Sequence, residues 1–73
     1  MEEKYIVIEL QRNGDQIGNI VTAHDTREDA EYKFHTVAAA ASISNVERHS
    51  VTLISDHGIA IKRECYEHLP IGG

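Results

Sequence analysis

The order of hydrophobic patterns constrains this chain more than any other feature of its sequence. Two short apolar segments with the two-residue alternation of β-strands come first, an alanine-rich segment with helical spacing follows, and two further alternating segments complete the order. This order is typical of a helix packed on one face of an antiparallel sheet. The sequence therefore predicts an α+β domain of ββαββ type, with a four-stranded, mainly antiparallel sheet and one helix on one face.

The strand boundaries follow from β-branched alternation and from turn residues. Asn13 and Gly14 form a strong hairpin signal between the first two strands, and Gly58 supplies the positive φ of a tight turn between the last two. The first strand is the most apolar and β-branched segment, which favours a central place in the sheet. The predicted strands span residues 4–11, 17–24, 46–55 and 59–66.

The central segment has the signals of a helix over residues 26 to 41 or 42. Asp25 with Glu28, and Thr26 with Asp29, are two alternative registers of an N-terminal capping motif. The apolar residues recur at helical spacing and form a single stripe that is predicted to face the sheet. This stripe consists of Ala30, Phe34, Val37, Ala38 and Ala41.

Handedness and charge favour one strand order. A right-handed crossing of the helix over strand one places strand three beside strand one, which gives the order 2-1-3-4. Strand four carries Lys62, Arg63 and Glu64, and charged side chains suit an exposed edge. The order 2-1-4-3 is the alternative, and it would bury Lys62 and Arg63 in a central strand.

Length and cysteine content are typical of a small intracellular domain. Seventy-three residues suffice for one domain, predicted over residues 1–68 with a flexible tail over 69–73. A core of this size usually needs a disulfide, a metal or a partner chain for stability. Cys65 is the only cysteine, which excludes an internal disulfide and fits a reducing cytoplasm. A second copy of the chain is therefore the expected source of additional stability.

Charge and hydropathy argue against two classes of partner. The net charge is −5 and the seven Lys and Arg residues are scattered, which is unlike a protein that binds nucleic-acid phosphates. The first four residues, Met-Glu-Glu-Lys, lack the profile of a signal peptide. No apolar run approaches the length of about 18 residues that a membrane span needs. The sequence predicts a cytoplasmic protein that binds neither nucleic acid nor membrane.

The predicted sheet has a second face that the helix does not cover. With Ile6, Ile8 and Leu53 assigned to the helix-packed core, the opposite face is too apolar to be solvated, and such a patch normally marks an interface. We therefore expect a homo-oligomer, a dimer or a larger assembly, that forms through this face. A large amphipathic side chain suits the centre of an interface, which makes Tyr66 the expected anchor. The interface candidates are Tyr5, Val7, Val21, Ile54 and Tyr66.

Five histidines and one cysteine raise the question of a metal site. Cys65 and His68 have the spacing of one zinc-ligand pair, and His35 and His49 would be needed to complete a set of four. A structural zinc site usually has two close ligand pairs, and this sequence has one. We therefore predict no metal and no other cofactor, with hydrogen-bonded or surface histidines instead.

No residue pattern in the chain predicts catalysis. Cys65 with His68 or His49 has the residue types of a nucleophile and its base. Such a pair also needs a shaped pocket and an oxyanion site, for which a chain of this length has little room. The glycines are isolated in turns and form no phosphate-binding loop. We predict a protein that is not an enzyme and has no catalytic residues.

Five strings distributed along the chain carry a family resemblance. They are Tyr5–Gln11, Gly18-Asn19, Ala30–His35, His49 and Glu64–His68, and they span about residues 4–68. In these strings the chain resembles small uncharacterised proteins of Firmicute phages and prophages. The resemblance implies a phage-related setting, in the cytoplasm of a bacterial host cell or in a virion. It brings no established activity and assigns no site residue.

Three functional hypotheses follow from these observations. The first is a non-enzymatic phage or prophage protein that interacts with itself and with a phage structural protein or a host protein. The second is a ubiquitin-like or sulfur-carrier protein that acts through Gly72-Gly73. This hypothesis needs a central fourth strand, and a fourth strand parallel to the first would favour it. The third is an acidic inhibitor of a host defence nuclease, with carboxylates in the place of phosphates.

Overall fold

The computed structural model describes residues 3–68, which form four strands and one helix. The predicted α+β class and ββαββ order are confirmed. The tail predicted over residues 69–73 lies outside the described residues. In chain order the elements are β1 (Tyr5–Asn13), β2 (Gln16–His24), α1 (Arg27–Ser42), β3 (Arg48–Ser55) and β4 (Ala60–Glu67).

All strand pairs are antiparallel, and the spatial order is β2-β1-β3-β4. The predicted order 2-1-3-4 is confirmed, and the alternative with β4 beside β1 is wrong. The edge position of β4 keeps Lys62 and Arg63 out of a central strand. A two-residue turn of Gly14 and Asp15 joins β1 to β2, and Gly14 has a φ of 59°, which glycine adopts without strain.

The helix α1 begins at a side-chain cap and continues with an acidic first turn. The Thr26 hydroxyl accepts a hydrogen bond from the main-chain N–H of Asp29 at 3.1 Å, so the Thr26–Asp29 register of the capping motif is the one used. Glu28 and Asp29 lie in the first turn, where the helix dipole favours negative charge. At the other end, the N–H of Ile43 donates to the carbonyl of Ala40 at 3.3 Å.

The core is a single layer of side chains between α1 and the two central strands. Val51 and Leu53 of β3 are fully buried, and Val7 of β1 is 1% exposed. The predicted helix stripe is buried against them, which confirms its assignment. Because three of the five stripe residues are alanines, the core layer is thin, as expected for a chain of this length.

The structure reverses the predicted faces of β1. Val7 is buried under α1 opposite Leu53, whereas Ile6 and Ile8 point to the other side of the sheet. The assignment of Val7 and Tyr5 to the uncovered face is therefore wrong, as is that of Ile6 and Ile8 to the core. Both alternating sets of β1 contain large apolar residues, so the pattern of this strand alone does not identify the buried face. The pairing of Val7 with the buried Leu53 determines which face of β1 is buried.

A β-bulge in β4 places Tyr66 on the helix side of the sheet. The pairing shifts between Leu53 and Ile54 of β3, because Ile61 is inserted between the β4 residues that pair with them. One inserted residue exchanges the two faces for the remainder of a strand. Tyr66 consequently pairs with the buried His49, and its predicted place on the uncovered face is wrong.

Candidate interaction surface

The face of the sheet opposite α1, here called the open face, has no covering layer within residues 3–68. A sheet face in contact with water normally carries polar side chains. On the open face, the exposed fraction is 41% for Leu10, 59% for Val21 and 67% for Ile17. The large apolar residues of this face come from β1, β2 and β3, and they are Ile6, Ile8, Leu10, Ile17, Val21 and Ile54.

The apolar residues of the open face form a continuous patch centred on β1. Ile8 lies directly opposite Val21 of β2, and Ile6 lies opposite Ile54 of β3. Side chains in such cross-strand positions contact one another on the same face. The patch therefore crosses the three strands β2, β1 and β3 without a break.

Charged side chains of the open face lie at its margin and are mostly basic. By strand alternation this face carries Arg12, Arg48 and Arg63, and Glu67 is its one carboxylate among the described residues. Arg48 Nε lies 3.2 Å from Glu67 Oε1. The chain has 12 acidic residues, so nearly all of its negative charge lies elsewhere. An apolar centre with a charged margin is the arrangement of protein–protein interfaces.

The structure places two of the five predicted interface residues on the open face. Val21 of β2 and Ile54 of β3 are there, as the alternation of their strands predicts. Val7 is part of the core, Tyr5 packs against the core, and Tyr66 lies on the helix side. That Val21 and Ile54 form contacts between copies stays a prediction.

Sequence reasoning missed the β1 residues at the centre of the patch, Ile6, Ile8 and Leu10. No signal within β1 separates them from the set that faces α1. The alternation of β3 does contain a signal, since the apolar Val51 and Leu53 alternate with the polar Ser50 and Thr52. Pairing β1 with β3 in the observed register would have assigned Ile6 and Ile8 to the open face.

A buried polar cluster lies under α1 and was also missed. His49 Nε2 lies 2.5 Å from Glu9 Oε2, and the same oxygen accepts a hydrogen bond from Gln11 Nε2 at 3.0 Å. The other ring nitrogen of His49, Nδ1, lies 3.0 Å from Ser44 Oγ. The side chains of His49 and Glu9 are only 5% and 15% exposed. The sequence signal for this cluster is Glu9, because a carboxylate in the most apolar strand needs a hydrogen-bond partner if it is buried.

This cluster has the residue types of a Ser–His–carboxylate triad, but its contacts indicate a structural role. Ser44 Oγ also lies 3.2 Å from the carbonyl oxygen of Ala41, to which it donates a hydrogen bond. His49 joins β3 to the Glu9 carboxylate of β1. Within residues 3–68, every buried side-chain nitrogen or oxygen has a hydrogen-bond partner. The cluster therefore links the two central strands and the end of α1.

The four candidate metal ligands are not brought together. His35 is exposed on α1, Cys65 is exposed on the open face, and His49 lies on the opposite side of the sheet. His68 Nε2 lies 2.9 Å from the carbonyl oxygen of Ala41. In the described part of the chain, no group of three or more His, Cys, Asp or Glu side chains is placed to hold a metal ion.

Lysine ammonium groups lower the pKa of two carboxyl groups near the start of α1. Lys62 Nζ lies 2.8 Å from Glu31 Oε1, and this hydrogen bond lowers the pKa of Glu31. The hydrogen bond from Lys4 lowers the pKa of Asp25 in the same way. Both pairs join the start of the helical segment to the sheet, one to β4 and one to the residue before β1.

The part of the chain that the structure describes contains no helix long and apolar enough to cross a membrane. A scan against protein-family models, a search of curated proteins and a search of solved structures each found no match. The geometry of the open face is therefore the observation from which a function is inferred.

Proposed function

We propose that this chain is a non-enzymatic interaction module that self-associates through the open face. The observation that carries the proposal is the continuous apolar patch on a sheet that, within residues 3–68, has a helix on its other side only. Full burial of one large aliphatic side chain contributes about 1.5–3 kcal/mol relative to its exposure in water. Contiguous apolar patches of this kind mark interaction sites on small proteins.

A second copy of the chain fits both the size of the domain and its charges. The core under α1 is thin, so a second apolar layer supplies stability that one copy lacks. Two identical patches can pair about a twofold axis, because such an interface is self-complementary. The net charge of −5 opposes association in general. On the open face, however, Glu67 is paired with Arg48, and Arg12 and Arg63 lie at the margin, where their charges can stay in water when two apolar centres meet.

The resemblance to phage and prophage proteins supplies the setting of this proposal. In that setting the assembly acts in the cytoplasm of a bacterial host cell or in a virion. A phage structural protein or a host protein would then be a further partner. The free thiol of Cys65, exposed on the open face, fits a reducing compartment.

Replacement of Ile54 by aspartate tests the open face. Ile54→Asp places a carboxylate opposite Ile6, inside the apolar patch, where an unpaired charge opposes burial. The expected result is a fall of the oligomeric mass to about half or less in sedimentation or light scattering. The far-ultraviolet circular dichroism should remain that of a folded α+β protein.

The control for this variant is Ile43→Asp. Ile43 is 84% exposed and lies at the end of α1, away from the open face. This variant should keep the wild-type mass. A folded Ile54→Asp protein of unchanged mass would contradict the proposal. If Ile54→Asp unfolds, wild-type stability must rise with protein concentration, since association would then stabilise the fold.

The observed fold weighs against the carrier hypothesis. That hypothesis needs a central fourth strand and is favoured by one parallel to β1, whereas β4 is an antiparallel edge strand. Gly72 and Gly73 lie outside the described residues. The inhibitor hypothesis also loses support, because Asp25 and Glu31 are paired with lysines and present less free negative charge.

A further inference from the structure

The edge strand β2 lacks the features by which natural edge strands avoid pairing. It is nine residues long and pairs with β1 in one unbroken register. Its sequence contains no lysine, arginine, aspartate, glutamate or proline. Natural edge strands usually carry such residues or a bulge, because unpaired main-chain groups otherwise recruit another strand. Ile17, Ile20 and Val21 of β2 are all more than half exposed.

The opposite edge of the sheet is protected. Lys62, Arg63 and Glu64 follow one another in β4, and the bulge at Ile61 interrupts the regular ladder. Charges and bulges are both features that discourage edge pairing. Among the described residues, β2 is therefore the edge that is available to a further strand.

The hairpin determines which main-chain groups of β2 face outward. With a two-residue turn, Asn13 and Gln16 form the first hydrogen-bonded pair, and such pairs alternate along an antiparallel ladder. The even-numbered residues of β2 therefore bond to β1. The odd-numbered residues direct their N–H and C=O groups to the free edge, and these are Ile17, Asn19, Val21 and Ala23.

We propose that β2 pairs antiparallel with β2 of a second copy about a twofold axis at Ile20. In this register Asn19 of one copy faces Val21 of the other, and Ile17 faces Ala23. All the outward main-chain groups of both strands are then paired, which gives about eight hydrogen bonds. The product is one continuous sheet built from the four strands of each copy.

The side chains of β2 favour pairing with a second copy of β2 over pairing with a charged strand. Ile20, 52% exposed on the helix side, meets Ile20 of the other copy at the axis. β2 itself contributes no carboxylate, lysine or arginine to this ladder. In the same register Asp15 of one copy faces Asp25 of the other just beyond each end of the ladder, and Asp25 is paired there with Lys4. A shift of the register by two residues in either direction would leave outward groups of each strand without a partner.

This edge contact goes beyond the proposed function, because it uses main-chain groups of β2 instead of the apolar patch. It also sets the two open faces side by side in one larger face. If two such dimers stack through that face, the assembly contains four copies. The two contacts can then be removed one at a time.

Cysteine cross-linking tests the register. On a Cys65→Ser background, Ile20→Cys places two thiols opposite each other at the axis, with Cα atoms about 4.5–5.5 Å apart, which a disulfide can span. Mild oxidation should convert this variant to a covalent dimer. The matched control is Gly18→Cys on the same background. Its two thiols lie about 13 Å apart, so it should not cross-link.

Proline substitution tests the main-chain hydrogen bonds. Asn19→Pro removes an outward N–H and leaves the bonds to β1 in place, since Asn19 does not bond to β1. The mass of the assembly should fall to half of the wild-type value. Asn19→Thr keeps the N–H and should keep the wild-type mass.

The outcomes separate this inference from the proposed function. A folded Asn19→Pro protein of unchanged mass, or equal cross-linking of the Ile20→Cys and Gly18→Cys variants, would overturn the edge contact. If Asn19→Pro does not fold, the cross-linking result alone decides. If Ile54→Asp leaves the mass unchanged while Asn19→Pro halves it, the open-face proposal fails and the edge contact stands.

Discussion

At the residue scale, the contact that most needs explanation is the buried pair of Glu9 and His49. A carboxylate under a helix loses hydration, and this loss is tolerated only where hydrogen bonds replace the water. Here His49 and Gln11 both contact the same Glu9 oxygen. The pair joins the two central strands below α1, so it contributes to the relative position of β1 and β3.

We predict strong coupling between Glu9 and His49 in a double-mutant cycle. Each single replacement, Glu9→Ala or His49→Ala, leaves the other polar group buried without its partner and should lower the free energy of unfolding by about 2–4 kcal/mol. The double variant should lose less than the sum, with a coupling of about 1–3 kcal/mol. Chemical denaturation of the four proteins measures this value.

The exposed pair of Arg48 and Glu67 is the control for that cycle. Their atoms are 3.2 Å apart, but both side chains are at least half exposed. Coupling between them should be below about 1 kcal/mol. Equal coupling in the two cycles would contradict a structural role for the buried pair.

A second residue-scale prediction concerns pH. The lowered pKa of Glu31 means that the folded state holds the proton of this group less tightly than the unfolded state, in which the carboxyl has its ordinary pKa of 4.5. The resulting stability is present above that value and is lost as pH falls through the lower pKa of the folded state. Lys62→Met removes the main cause of the shift. This variant should lose less stability than the wild type between neutral pH and the acid range.

Denaturation at several pH values and a carboxyl titration by nuclear magnetic resonance measure this effect. Lys33→Met is the control, since Lys33 is not paired with Glu31 in the structure. If the pKa of Glu31 is the same in Lys62→Met and wild type, the hydrogen bond is not its cause.

At the element scale, the helix start is the feature that the sequence specifies most locally. Thr26→Ala removes the side chain that accepts from the N–H of Asp29, and caps of this kind contribute about 1 kcal/mol. We expect a loss of that size in the free energy of unfolding. Thr36→Ala is the matched control, because Thr36 lies within α1 and bonds to the carbonyl of Tyr32. It should be neutral or stabilising. Equal losses would show that Thr26 acts by packing.

The elements and their order could be predicted because each depends on local signals. Alternation, the Asn-Gly turn, the cap and the charges of β4 are readable without knowledge of the partner strands. The faces of β1 and of the end of β4 could not be predicted in this way. In β1, Ile6 and Ile8 on one face and Val7 on the other are equally apolar, and in β4 the face depends on the bulge at Ile61.

The sequence predicts that an apolar interaction face exists, but it identifies only some of the residues of that face. One helix and four strands imply an uncovered face, and the prediction that Val21 and Ile54 lie on it agrees with the structure. The centre of the patch, Ile6 and Ile8, depends on the pairing of β1 with β3. Long-range register is a property of the assembled sheet, so a single strand does not contain it.

At the scale of the whole molecule, the two sides of the sheet are covered unequally. The helix side of the sheet has a thin but closed core, whereas the open face has large aliphatic side chains and no cover within residues 3–68. In the assembly that we propose, a second open face covers the first about a twofold axis. The edge of β2 offers a further contact that does not compete with it.

Filtered nuclear Overhauser spectroscopy on a mixture of isotope-labelled and unlabelled chains tests this claim most directly. The method reports only contacts between copies, and isoleucine methyl groups lie on both sides of the sheet. Self-association through the open face predicts contacts between copies from the methyl groups of Ile6, Ile8 and Ile54, and none from Ile43. Contacts from Ile43 alone, or no contact between copies from the open face at concentrations where the protein is oligomeric, would contradict it.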